Sequence, residues 1–322
     1  MLTKKEKDGL LKVYEDIVDR YYYYYDIDSF EREQFGRYIG IFDETEEKQI
    51  EMWIKYLAGD VMNLVYLGAA VALREDDMRY LDDALNTATT LAQLTELSLG
   101  WGCSWDFLSV FTSANRFGDI ERIIPKEIGP SKYSGVHSAV TNLMMYLYYG
   151  EAEWKETAVE CGRRALDRKQ TIESKAIVAC LMSLVEKDFD SFSAELGNVC
   201  MGRKRGNEYG DNKFTRQLPF FALGLYNFAR YLYGEEAEKK ITFPSDAGLL
   251  DDLREYQRAA GYKPGGILMK FDKELYLLDR MFKIDLPTMH LRFEKNKAYA
   301  DTERYAKDVK ERTLGYKPAD SE

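Results

Sequence analysis

Histidine is nearly missing from this sequence of 322 residues, which contains only His137 and His290. Metal coordination by imidazole and thiolate needs several such side chains clustered. The four cysteines, Cys103, Cys161, Cys180 and Cys200, lie far apart, and there is no CxxC or HExxH spacing. A zinc site is therefore not expected. The cysteines read as small apolar core residues of a reducing compartment, not as disulfides or ligands. His137, beside Ser138 near a helix start, and His290, after Pro287, read as local structural residues.

Other signatures are missing as well. A phosphate cradle needs glycines and a lysine at fixed spacing so that backbone amides converge, and neither Gly265-Gly266 nor the 202–210 stretch has that spacing. No GxSxG elbow occurs, and no motif marks a cysteine as a nucleophile. No cofactor is expected. The longest apolar stretches, such as 61–73, contain Asn63 and fall short of the roughly 20 residues that a membrane span requires. The charged start, Met1-Leu-Thr-Lys-Lys-Glu-Lys, lacks the apolar run and cleavage site of a signal peptide. A chain with no membrane span and a cytoplasmic location are the expectation.

Proline is scarce at seven residues, while 45% of the chain is hydrophobic, enough for a large core. Charge is abundant but unevenly placed. Residues 1–100 carry 11 Lys plus Arg against 21 Asp plus Glu, which is the whole net charge of −10, since the remainder is balanced at 34 against 34. Such a field argues against nucleic acid as a partner and favours a basic protein, although solvated helix faces account for the same residues.

Helical periodicity dominates. Leu10, Leu11, Tyr14, Ile17, Val18, Tyr21, Tyr22 and Tyr25 recur at three- and four-residue spacing behind a candidate Thr3–Glu6 capping box. A second pattern runs from about Thr45 to Leu73, with Gly59 and Asp60 placed to bend or divide it. Turns at Arg74, Arg116, Tyr149, Glu186 and Tyr233 then recur 42, 33, 37 and 47 residues apart, near helical-repeat periods but irregular. Two antiparallel hairpins are predicted within 136–165 and 176–200, with Asp188 as an N-cap. Residues 202–213 read as a loop, 214–233 as an apolar helix with Pro219 near its start, and the stretch beyond Lys263-Pro-Gly-Gly as two further helices ending near Leu314. The expected fold is all-α: an irregular stack of antiparallel helix pairs in a helical-repeat, TPR-like array. Its regions are an acidic helical part over 1–100, a hairpin array over 101–250 and C-terminal helices over 251–322, forming one continuous domain.

Two constellations stand out. Five consecutive aromatics, Tyr21 to Tyr25, would occupy every face of a helix and cannot all enter one core stripe. Tyr21, Tyr22, Tyr23 and Tyr24, with Asp26, Asp28, Glu44, Glu46 and Glu47, are therefore candidate partner-binding residues; intramolecular packing or a homo-oligomer is the other way to cover the rings. Asp251, Asp252 and Glu255 share one helical turn and resemble the aspartate-rich signature of prenyl-diphosphate enzymes, which would make the chain a magnesium-dependent all-α enzyme. The second metal-binding motif such enzymes need is absent.

The segment Ser174-Lys-Ala-Ile-Val-Ala-Cys-Leu-Met-Ser-Leu-Val-Glu-Lys-Asp-Phe-Asp-Ser-Phe-Ser-Ala-Glu-Leu resembles the bacterial immunity protein 49 family. Arg203-Lys-Arg, the apolar helix over 218–233 and Ile241-Thr-Phe-Pro-Ser-Asp follow in the same order, and the likeness spans roughly residues 85–255. It implies a non-catalytic cytoplasmic antidote that binds a cognate polymorphic toxin. It supplies no catalytic residues to map. A helical-repeat, peptide-binding adaptor or regulator is the alternative reading.

Overall fold

The computed structural model describes residues 2–18, 24–35, 41–57, 61–99, 105–133, 135–206, 212–271, 273–295 and 297–317. These are overwhelmingly helical: α1 (Lys4–Glu15), α2 (Ile27–Phe30), α3 (Glu46–Tyr56), α4 (Val61–Glu75), α5 (Arg79–Leu99), α6 (Trp105–Ser113), α7 (Ile120–Ile123), α8 (Val136–Tyr149), α9 (Lys155–Asp167), α10 (Ile172–Glu186), α11 (Phe189–Arg205), α12 (Phe220–Tyr233), α13 (Glu235–Lys240), α14 (Leu249–Ala259), α15 (Tyr276–Lys283) and α16 (Thr302–Gly315). A two-stranded antiparallel hairpin, β1 (Leu291–Glu294) and β2 (Lys297–Ala300), interrupts the C-terminal helices and pairs Leu291 with Ala300 and Glu294 with Lys297. The all-α expectation holds, and the two helices expected beyond Lys263 are α15 and α16, with the unexpected strand pair lying between them. No single described helix is long and apolar enough to cross a membrane.

Local chemistry sets the helix ends. The Thr3 hydroxyl accepts the Glu6 amide while the Glu6 carboxylate accepts the Thr3 amide at 2.8 Å, a reciprocal cap on α1. Asp188 accepts the Ser191 amide at 3.0 Å and starts α11, one residue after Lys187 ends α10 in the left-handed region. Pro219 stands just before α12, where its missing amide costs nothing. The pattern read from Thr45 to Leu73 is two helices, α3 and α4, on either side of Gly59 and Asp60.

Packing departs from a simple repeat. The pairs α4/α5, α8/α9 and α10/α11 are sequential neighbours, but α12 packs chiefly on α6, far away in sequence. The helix α5 touches α3, α4, α6, α14, α15 and α16, and is nearly all buried. Its crossing with α4 is close: a Cβ at Gly68 would stand 2.1 Å from the Cβ of Ala84, so only glycine allows this approach. The hydroxyls of Thr89, Thr90 and Thr95 bond to carbonyls four residues back, letting polar side chains enter the core with their hydrogen bonds made.

The two ends of the chain close on each other. The helix α16 packs on α3 and α5, and α1 packs on α4. Lys310 reaches Glu51 at 2.5 Å, and the Leu2 amide donates to Asp252 at 3.1 Å. Buried apolar side chains from Tyr14 to Val309 form one connected core.

Candidate functional site

The candidate contact residues separate into groups. Tyr21, Tyr22 and Tyr23 lie outside the described residues. Tyr24 is a core residue, 5% exposed: its carbonyl accepts the Tyr14 hydroxyl at 2.6 Å, its hydroxyl accepts from the Gln34 amide, and its ring meets Phe30 edge-on at 5.0 Å. It therefore leaves the contact surface. The single-helix reading of the tyrosine run is corrected too, because α1 ends at Glu15 and Tyr24 and Tyr25 stand just ahead of α2. Asp26 is the N-cap of α2, accepting the Ser29 amide at 2.7 Å, and those bonds hold its carboxyl below the usual range. Asp28 is exposed, 3.9 Å from Lys270.

The remaining acids share one surface. A short 3-10 turn, Ile41–Asp43, leads into α3 and buries Ile41 while leaving Phe42 40% exposed. Ile50, Trp53 and Ile54 face the core, while Glu47 in the first turn of α3 is exposed. Acidic residues there also complement the positive end of the helix dipole. Glu44 is offset by Lys48 at 2.6 Å. Glu46 accepts the Tyr276 hydroxyl at 2.6 Å, which fixes a ring that is itself 40% exposed beside α3. Among the described residues, neither Asp43 nor Glu47 has an ion-pair partner. Exposed aromatic rings thus stand among acids whose charge is only partly compensated.

The other constellations are internally satisfied. Asp251 accepts from Arg254 at 2.8 Å, Glu255 accepts from Arg254 at 2.5 Å and pairs with Arg258, and Asp252 is buried with its oxygens on the Leu2 amide and Lys7. Among the described residues no group of three or more His, Cys, Asp or Glu side chains is arranged to hold a metal ion. Cys161, Cys180 and Cys200 are buried free thiols, and burial pushes the Cys200 thiol up to about 12 and that of Cys180 well above its usual value. Cys103 lies outside the described residues. His290 Nε2 is 2.6 Å from Asp308, tying the entry of β1 to α16.

A buried polar node went unseen in the sequence. Asp82 of α5, 3% exposed, accepts from Gln257 of α14 at 2.7 Å. Gln257 also donates to the Ser113 carbonyl at 2.8 Å and accepts from Asn227 of α12 at 3.0 Å. Burial pushes the Asp82 carboxyl up to about 6, with the Gln257 bond opposing the shift. Four helices meet there. Nearby, the extended stretch over 264–271 lies along α5: Asn86 donates to the Gly266 carbonyl at 3.0 Å, Asp83 accepts the Gly266 amide at 2.6 Å, and Thr87 accepts the Leu268 amide at 2.8 Å.

Comparison of the chain with protein-family models, curated proteins and solved structures gave no match.

Proposed function

We propose that this chain is a non-catalytic protein-binding inhibitor, an immunity protein that neutralises a cognate bacterial toxin by covering a basic surface on it. The observation that carries the reading is the 41–47 surface, where Phe42 and Tyr276 stand exposed among Asp43, Glu44, Glu46 and Glu47. Rings that bury area at low entropic cost, beside charges that steer an oppositely charged partner, supply both parts of a protein interface. The Glu46–Tyr276 bond holds one ring in place before any partner arrives, which lowers the ordering cost of binding. The resemblance of residues 174–250 to the immunity protein 49 family supports the same reading, and a cytoplasmic location belongs to it.

The test is co-expression with the product of the neighbouring gene. Protection of the host and co-purification of the two proteins are expected, and both should weaken in a Glu44→Gln, Glu46→Gln, Glu47→Gln triple variant. Growth arrest by the neighbouring product that this chain leaves unrelieved, with no complex recovered, would reject the proposal.

A further inference from the structure

The β1–β2 hairpin has an open edge. Its second strand rests on the turn Lys126–Ile128, whereas along β1 the side chains of Arg292, Phe293 and Glu294 are all exposed, Phe293 at 60%. Side chains of a strand alternate between its two faces, so three exposed in succession leave neither face of β1 packed against the helices. Two strands are also marginal as a sheet and gain from a further strand.

The backbone of that edge points outward. The His290 carbonyl accepts the Asp301 amide at 2.8 Å, and the same register continues through Leu291 with Ala300 to Glu294 with Lys297. In an antiparallel ladder, hydrogen-bonded and non-hydrogen-bonded pairs alternate. His290, Arg292 and Glu294 therefore bond to the second strand, while the amide and carbonyl of Phe293 face away from it. Among the described residues no backbone hydrogen bond is made to Phe293 across the open edge.

Charged side chains on an exposed edge usually keep other strands away. Here their order admits one. Arg292 and Glu294 share one face, and Phe293 between them lies on the other. An antiparallel strand of the same sequence, centred on Phe293, sets Arg292 against the partner's Glu294 and Glu294 against the partner's Arg292. The two Phe293 rings meet on the opposite face. Arg292 and Glu294 also meet each other along the strand at 3.0 Å, and pairing keeps that contact, because signs alternate around all four charges.

We infer that this edge pairs with the same edge of a second copy of the chain, independently of the acidic surface around α3. The product is a two-fold symmetric dimer joined by a four-stranded antiparallel sheet centred on Phe293. The self-complementary order Arg-Phe-Glu commits the edge to its own sequence. Four residues a side bury less than the roughly 1,200 Å² of a stable interface, so the dimer is weak and depends on concentration.

Sedimentation equilibrium of the full chain from about 1 μM to about 1 mM tests this, and the mass should rise from monomer toward dimer across that range. Arg292→Glu and Glu294→Arg should each weaken association about tenfold, because symmetry places like charges opposite each other twice. An equimolar mixture of these two variants should dimerise again, as should the chain carrying both substitutions, since each restores opposite charges. Phe293→Pro removes an outward-facing amide and should abolish the dimer while the monomer keeps its circular dichroism spectrum. A chain that stays monomeric throughout overturns the proposal. Dimerisation that the single variants leave unchanged overturns it too, because another surface then carries the contact, and so does a mixture no more dimeric than its components.

Discussion

The α10–α11 hairpin and the closure between the chain's two ends are held together by different means. The hairpin is local: a left-handed Lys187, an Asp188 cap and facing rows of Ile177, Leu181, Leu184, Phe192, Leu196 and Val199 lie within 30 residues of each other. The closure joins residues up to 259 positions apart, and much of it is polar: Lys310 to Glu51, Tyr276 to Glu46, Asp252 to the Leu2 amide, Gln257 to Asp82. Apolar rows supply most of the stability, and long-range polar contacts fix which surfaces meet.

The comparison breaks most visibly in the hairpin core. Leu181→Ala, at a fully buried position, should cost about 2–5 kcal/mol by transfer and cavity terms. Urea unfolding measures it directly.

Next comes the closure's buried node, which should respond to pH. The Asp82 carboxyl titrates near 6 when folded, above its ordinary 3.8, so the folded chain holds that proton more tightly than the unfolded one. Its contribution therefore favours folding at low pH, declines as pH rises from about 4 to about 6, and is constant beyond. Asp82→Asn keeps an acceptor for Gln257 without the charge. It should stabilise the chain by about 2–3 kcal/mol at pH 8 and by little at pH 4, read as the difference between wild-type and variant unfolding curves.

Smaller effects follow at the edges of both regions. Asp188→Ala removes the cap of α11 and should cost about 1 kcal/mol, lowering the melting temperature by a few degrees. Lys310→Ala should cost less than about 1 kcal/mol, because Glu51 across from it is more than half exposed. A larger loss at Lys310 than at Asp188 would mean that the closure depends on surface charge.

The same contrast explains what the sequence made legible. The Thr3–Glu6 box, the Asp188 cap and both middle hairpins could be read because their signals lie within a few residues of what they control. The central role of α5 could not, since Thr89, Thr90, Gln93 and Thr95 look solvated until their internal hydrogen bonds are known. The β1–β2 hairpin was missed because four-residue strands are too short to establish a period. The acidic bias of residues 1–100 did not show where in the fold those acids would stand. Folding divides those acids into caps such as Asp26, buried groups such as Asp82, and the surface at 43–47.

That surface is the account's central claim, and association kinetics with the toxin proposed as its partner tests it most directly. The account predicts that the association rate falls steeply with ionic strength, and that Glu44→Gln, Glu46→Gln, Glu47→Gln together make it slower and flatten the salt dependence. The same rate and the same salt slope in both proteins would contradict it.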